Sequence, residues 1–332
     1  MVSPRRRAAI ELVLDNLVWF ILAVVLAIFS IAVPNYFQIG IFANIVEQST
    51  FVATLSIGLS LLIIAGYMDL SIESVMALAA MVVGILFAKS GVGIGLTLDP
   101  EWLIVPASLV IALAVGALVG ASNAFFVVRL RMNAFIVTLA AYIWGRGLVV
   151  ALSGGRSAQE LPPALRFLAI ERFLSFPLIA WVSIVATLAF AFILNKTPFG
   201  RHLLLIGGNA QAAYRAGINV DRLTAITFVI AGAMAGLAGW LLAIRTSGAT
   251  ANLGVGMLFQ AFAAVVIGGV SLKGGVGSLT GVYAGVLLLA SIQTAINLMG
   301  LPAHFTQLIQ GGMVLVAVLL DTVKLSIRKK LI

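Results

Sequence analysis

The sequence holds no cysteine among its 332 residues, so disulfides, thiolate metal sites and thiol catalysis are excluded. Its two histidines, His202 and His304, are too few for a typical zinc site. Charge is scarce as well: 20 basic and 11 acidic residues make 9% of the chain, against roughly 25% in soluble domains. No His-Glu-x-x-His helix is present, and the glycine-rich turn containing Gly269 and Gly274 lacks the Gly-Lys-Ser/Thr ending of a phosphate-cradling loop. With no nucleophile–base pair evident either, this chain has no obvious seat for catalysis, for a metal or for nucleotide hydrolysis. It is expected to be no enzyme and to need no cofactor.

What is there is apolar. Hydrophobic residues make 62% of the chain and the mean hydropathy is +1.17, which excludes a soluble enzyme, a disordered tail and a nucleic-acid-binding domain. At roughly 20 apolar residues per span, the composition supplies about ten membrane-crossing helices and little else. Runs broken by glycine, proline and charge predict helices over 13–33, 43–65, 72–89, 102–128, 134–152, 173–194, 223–244, 257–270, 278–299 and 304–321. Arg5-Arg6-Arg7 precedes the apolar stretch Leu17 to Val33, which is longer than the roughly 7–15-residue core of a secretory signal; it reads as a retained first span.

Basic residues set the orientation. With the N-terminus inside, alternation puts 14 of the 20 in inside loops, among them Arg129, Arg131, Lys196, Arg201, Arg215, Arg222 and Lys273. Five, Lys89, Arg156, Arg166, Arg172 and Arg245, fall outside, and Arg146 falls within a span. This asymmetry predicts an even number of spans with both termini cytoplasmic. The fold class expected is therefore an all-α integral membrane protein, one transmembrane domain over 1–332 with lipid around it.

Small residues recur four apart at Gly116 and Gly120, Gly232 and Gly236, and Gly281 and Gly285, a spacing that lets helix backbones approach closely. Two interruptions are sharper: Ala65 to Ser74 and Gly268 to Ser278. Each is a small-residue turn, a polar patch and a serine-led new helix, a faint sign of internal duplication. Ser71 or Ser74 is a candidate cap, and Asp69 would sit well near a helix N-terminus. The first interruption is either a cytoplasmic turn with a capping acid or the lining or gate of a translocation path. Glu47, Glu73 and Arg146 are ionisable groups in or near spans, and such groups face a bundle interior or water. Glu47, with Asn44, Gln48, Ser49 and Thr50, is either an interfacial helix start or part of a solute path. Asn123, Asn133, Thr138, Gln293, Thr294 and Asn297 add neutral hydrogen-bonding groups, which suit a hydroxyl-rich solute better than a proton relay.

The most informative loop is 195–222, expected inside. Asn209 is a good N-cap, Ala210 to Ala216 favours helix, and Gly217 is a fitting stop. So short a helix is marginal alone in water, so it either packs on its own bundle or docks in a partner's groove, with Tyr214 and Arg215 as anchors. Gln211-Ala212-Ala213 and then, after three intervening residues, Gly217 resemble the Glu-Ala-Ala-x-x-x-Gly motif of ABC-importer permeases, with glutamine replacing glutamate. The wider runs Phe199-Gly200-Arg201 through Val220, Ala264 through Gly277, and Asn133 through Gly147 resemble the ribose-type monosaccharide permeases, in the same order from about residue 30 to 321. One departure is local: where the family reads Gly-Gly-Ile-Asp-Leu-Ser-Val-Gly-Ser, this chain has Tyr67 and Glu73 in place of glycines.

The resemblance implies a permease subunit in a bacterial inner membrane. Its partners would be an ABC ATPase, an extracytoplasmic solute-binding protein and a second permease, identical or related. Asn209, Gln211, Ala212, Ala213, Tyr214, Arg215 and Gly217 would couple to the ATPase. Glu47, Asp69, Ser71, Glu73 and Asn297 are the pathway or gate candidates. A gradient-driven secondary transporter acting alone is the alternative.

Overall fold

A computed structural model of the chain describes residues 4–302, with side chains from Asn16 onward, and scattered positions within 305–319. Helices dominate. In chain order they are α1 (Pro4–Ala32), α2 (Ile39–Ile64), α3 (Ile72–Phe87), α4 (Ile104–Ala124), α5 (Ala134–Ser153), α6 (Pro163–Ile170), α7 (Leu178–Lys196), α8 (Pro198–Gly208), α9 (Ala210–Arg215), α10 (Val220–Thr246), α11 (Met257–Ile267) and α12 (Leu279–Leu298). Among the described residues, six helical stretches are long and apolar enough to cross a membrane: Ile39–Ile64, Glu101–Arg129, Ala134–Ser153, Leu178–Lys196, Val220–Thr246 and Leu279–Leu298. Three shorter apolar helices, Asn16–Ala32, Ile72–Phe87 and Met257–Ile267, accompany them. The expected helix over 304–321 lies largely outside the described residues.

Sequence and structure differ at several places. The span expected from residue 173 begins at Leu178, because Arg172–Phe173 and Phe176–Pro177 pair as a tight antiparallel turn. The helix expected over 257–270 ends at Ile267, where Gly268 and Gly269 (φ +89°) turn the chain. Loop 195–222 holds two helices rather than one: α8 starts at Pro198, with Thr197 Oγ1 accepting from Gly200 N. Three two-residue strands, Ser90–Gly91, Ala158–Gln159 and Gly248–Ala249, join as one small sheet. They tie three expected outer loops together on one face.

Helix α10 runs through the middle of the bundle and packs on α4, α2 and α3. All three small-residue pairs mark close crossings. A Cβ added to Gly116 would lie 2.1 Å from the Gly232 carbonyl oxygen, and one on Gly232 would lie 2.2 Å from that of Gly116. Gly281 and Gly285 meet the carbonyls of Gly268 and Ala264 in the same way. Where lipid gives helices no hydrophobic reason to associate, such backbone contact supplies the van der Waals attraction. Four buried hydroxyls are satisfied within their own helices: Ser49, Thr54, Thr187 and Thr294 each donate to the carbonyl four residues back.

Candidate translocation and coupling site

The α9 segment folds as its sequence dictates. Asn209 Oδ1 accepts from Ala212 N at 3.0 Å, filling one of the helix's unpaired donors. At the other end Gly217 takes φ +83°, and Ile218 N and Gly217 N donate to the carbonyls of Ala213 and Tyr214. This is a Schellman stop, which needs the left-handed position that glycine adopts without strain. Gln211, Ala212, Tyr214 and Arg215 are exposed, Tyr214 at 74%. Ala213 is the exception among the coupling candidates. It turns inward and is buried, so it seats α9 on its own chain rather than offering a contact to a partner. Beside α9 lies an open hollow of about 1060 Å³ edged by Arg131, Gln211, Tyr214, Arg215 and Asp221. Arg131 forks onto Asp221 at 2.7 and 2.8 Å, and that hydrogen-bonded carboxylate holds the guanidinium pKa above its ordinary value.

Behind α9, bare backbone meets bare backbone. Gly275 N donates to Ile64 O at 2.8 Å, joining the two chain interruptions to each other. Gly207, near the end of α8, fits into this junction. A Cβ there would fall 1.7 Å from Ile64 O and 2.4 Å from Gly275 N. A Cβ on Gly274 would fall 2.8 Å from Gly207 O, and one on Gly275 would fall 2.7 Å from Gly208 N. Only Asn209 then separates α8 from α9. The segment carrying α9 is therefore in direct contact with the second interruption and with the end of α2, where the first one begins.

Asp69 and Ser71 hold the first interruption from within. Asp69 Oδ1 accepts from Ser71 N at 2.7 Å and Ser71 Oγ at 2.6 Å, and Asn123 Nδ2 donates to Ser71 Oγ at 2.9 Å. Ser71 stands at the N-cap of α3 without a side-chain capping bond, and Ser74 Oγ bonds back to Ser71 O. The expected serine cap is thus replaced by an aspartate-held turn.

Glu73 joins three separate segments of the chain. Its Oε1 pairs with Arg146 Nη2 at 2.6 Å, and its Oε2 accepts from Gly256 N and Leu258 N at 3.0 Å each. Arg146 Nη1 reaches the carbonyls of Leu253 and Ala251 at 3.0 and 3.3 Å. Glu73 is 2% exposed. Arg146 lies about 18 Å along α5, and α11 is only about 17 Å long, roughly half a bilayer core. The irregular stretch before α11 therefore meets α5 more than half-way along its length, and its backbone groups are satisfied by protein. Glu73 caps the N-terminus of α11 and Arg146 caps the preceding carbonyls. A mid-span arginine signals that an acid lies at its depth, but no spacing rule names which one.

The other candidates separate. Glu47 is buried and pairs with Arg245 and, at 3.8 Å, with Arg172, so it closes a charge cluster beside the small outer loops. Asn297 Oδ1 accepts from Gln293 Nε2 at 3.0 Å on α12. Asn133 caps α5, and Thr138 bonds to Ala134 O. The structure does not gather Glu47, Asp69, Glu73 and Asn297 into one lining; the three acids are engaged in holding turns and loops. Among the described residues, no group of histidine, aspartate and glutamate could hold a metal ion.

A family profile described as "Branched-chain amino acid transport system / permease component" matches residues 41–318. The ribose import permease protein RbsC of Escherichia coli K12 is 33% identical over 327 residues, 97% of this chain and 98% of the relative. The L-arabinose ABC transporter permease protein AraH of Azospirillum brasilense is 32% identical over 310 residues, 92% and 87% of the two chains. The autoinducer 2 import system permease protein LsrC of Yersinia pestis is 34% identical over 293 residues, 88% and 80%. No solved structure matches. An apolar helical bundle with a capped, exposed loop helix agrees with these matches, and the chain belongs to this family of ABC import-system permease components.

Proposed function

We propose that this chain forms the translocation path of an ATP-driven importer for a monosaccharide or a related polyhydroxylated molecule, in a bacterial inner membrane. In this reading about ten helices cross the bilayer as one domain, with both termini and α9 on the cytoplasmic side. An ATPase docks on the exposed face of α9 through Gln211, Ala212, Tyr214 and Arg215. An extracytoplasmic binding protein delivers solute, and a second permease completes the path. ATP binding moves α9, and the Gly207–Gly208 junction passes that movement to both interruptions. The work comes from contacts that differ between outward- and inward-open states. The observation that carries the reading is the placement of α9: it is capped at both ends, exposed on its outer face and seated through glycine backbone on the second interruption and the end of α2.

The test is reconstitution in liposomes of the chain with its ATPase and binding protein, with D-ribose and L-arabinose as probes. Uptake should require ATP, and Ala212→Glu should lower it at least ten-fold. Uphill sugar uptake by this chain alone on an ion gradient would establish the secondary-transporter reading instead.

A further inference from the structure

A cavity of about 60 Å³ lies between α2, α11 and α12, with Ile309 on a further side. Three glutamines from three helices line it: Gln48 on α2, Gln260 on α11 and Gln293 on α12, together with Ser49 and the ring of Phe259. The remaining wall is aliphatic, including Val52, Val286 and Leu289. Among the described residues, no charged side chain lines it.

We infer that Gln48, Gln260 and Gln293 form a solute-contact site for a neutral polyhydroxylated molecule on its way through the bundle. The inference rests on the sugar-importer reading and locates the solute within it. An amide side chain both donates and accepts, as a hydroxyl does, so three glutamines around one cavity match a molecule that carries a hydroxyl on most of its carbons. The Phe259 ring offers an apolar face to its C–H groups. Absence of charge fits transit: a permeation site must bind well enough to admit a solute and weakly enough to release it. Gln48 Nε2 donates to Asn44 Oδ1 and Gln293 Nε2 to Asn297 Oδ1, so on two of the three helices a second amide steadies the one that lines the cavity. This gives Asn297 a part in the path that its own position does not.

The Glu73–Arg146 pair bears on this site directly. Glu73 holds the backbone N–H groups of Gly256 and Leu258, and Phe259 and Gln260 follow at once in the first turn of α11. The carboxylate thereby sets the depth and rotation at which α11 presents them. Glu73 is a positioning residue for the cavity rather than a contact for the solute.

The chain's lack of cysteine makes the test clean. A Gln260→Cys variant carries one thiol in this chain, and mass spectrometry of the chain reads its labelling by a membrane-impermeant methanethiosulfonate. In liposomes holding the whole importer, D-ribose during turnover should slow that labelling at least five-fold. Gln260→Leu and Gln293→Leu should each cut D-ribose uptake at least ten-fold, with co-purification of the ATPase reporting that the variants fold. Labelling indifferent to sugar, or full-rate uptake by the Gln260→Leu/Gln293→Leu double variant, overturns the site while leaving the importer reading intact. A wild-type importer that moves neither D-ribose nor L-arabinose overturns the sugar reading and the site with it.

Discussion

Two contacts join distant stretches of this chain, and they are built oppositely. Near the start of α3, Glu73 and Arg146 tie α3, α5 and the approach to α11 through a buried carboxylate and a largely buried guanidinium. At the end bearing α9, Ile64, Gly207 and Gly275 meet through backbone with no side chain between them. A buried ion pair with every oxygen bonded tolerates little displacement, since separating the partners strands a charge in a low-dielectric interior. A glycine junction holds only van der Waals contact and one hydrogen bond, and it allows one segment to shift on another. The first contact is suited to fix the position of a half-length helix. The second is suited to pass motion from a surface helix into the bundle.

Breaking the charged contact should cost most. Arg146→Ala leaves the Glu73 carboxylate buried without its cation and frees the carbonyls of Ala251 and Leu253, a loss of about 3–5 kcal/mol. Thermal unfolding in detergent should show a large drop, and an unchanged melting temperature would mean that the pair fixes nothing. An intermediate effect is expected at Asn209→Ala. Losing the cap costs about 1 kcal/mol, confined to α9, so the bundle should melt as before while ATPase co-purification weakens. The smallest effect belongs to Arg131→Gln. Its pair with Asp221 is exposed, at 70% and 50% for the two side chains, and such pairs contribute little. Melting and uptake should both stay at wild-type values; a clear fall in uptake would bring this edge of the α9 hollow into the docking surface.

These two contacts also mark where sequence reading succeeds and stops. Nine of the expected spans coincide with observed helices because long apolar runs carry their own signal. Asn209 and Gly217 were legible because caps are local: the residue and its partner lie within a few positions. Helix α8 escaped notice although Thr197-Pro198 is a fair start signal, because the apolar pattern that follows is short. The partners of Glu73 lie 73 and 183 or more residues away, and no periodicity connects them. Tyr67 and Glu73 stood out as departures from the family's glycines. What Glu73 does there became visible only once α11 was seen to begin against it. The amide cavity was half legible. Gln48 and Gln293 read from the sequence as polar groups on apolar helices, but their meeting with Gln260 depends on how three helices cross.

If motion reaches the bundle through the Gly207 junction, Gly207→Ala tests it most directly, with ATP hydrolysis and D-ribose uptake measured in the same liposomes. The added methyl must displace the backbone of Ile64 or Gly275. Hydrolysis should then continue while uptake falls at least ten-fold; uptake that keeps pace with hydrolysis would contradict a route through this junction.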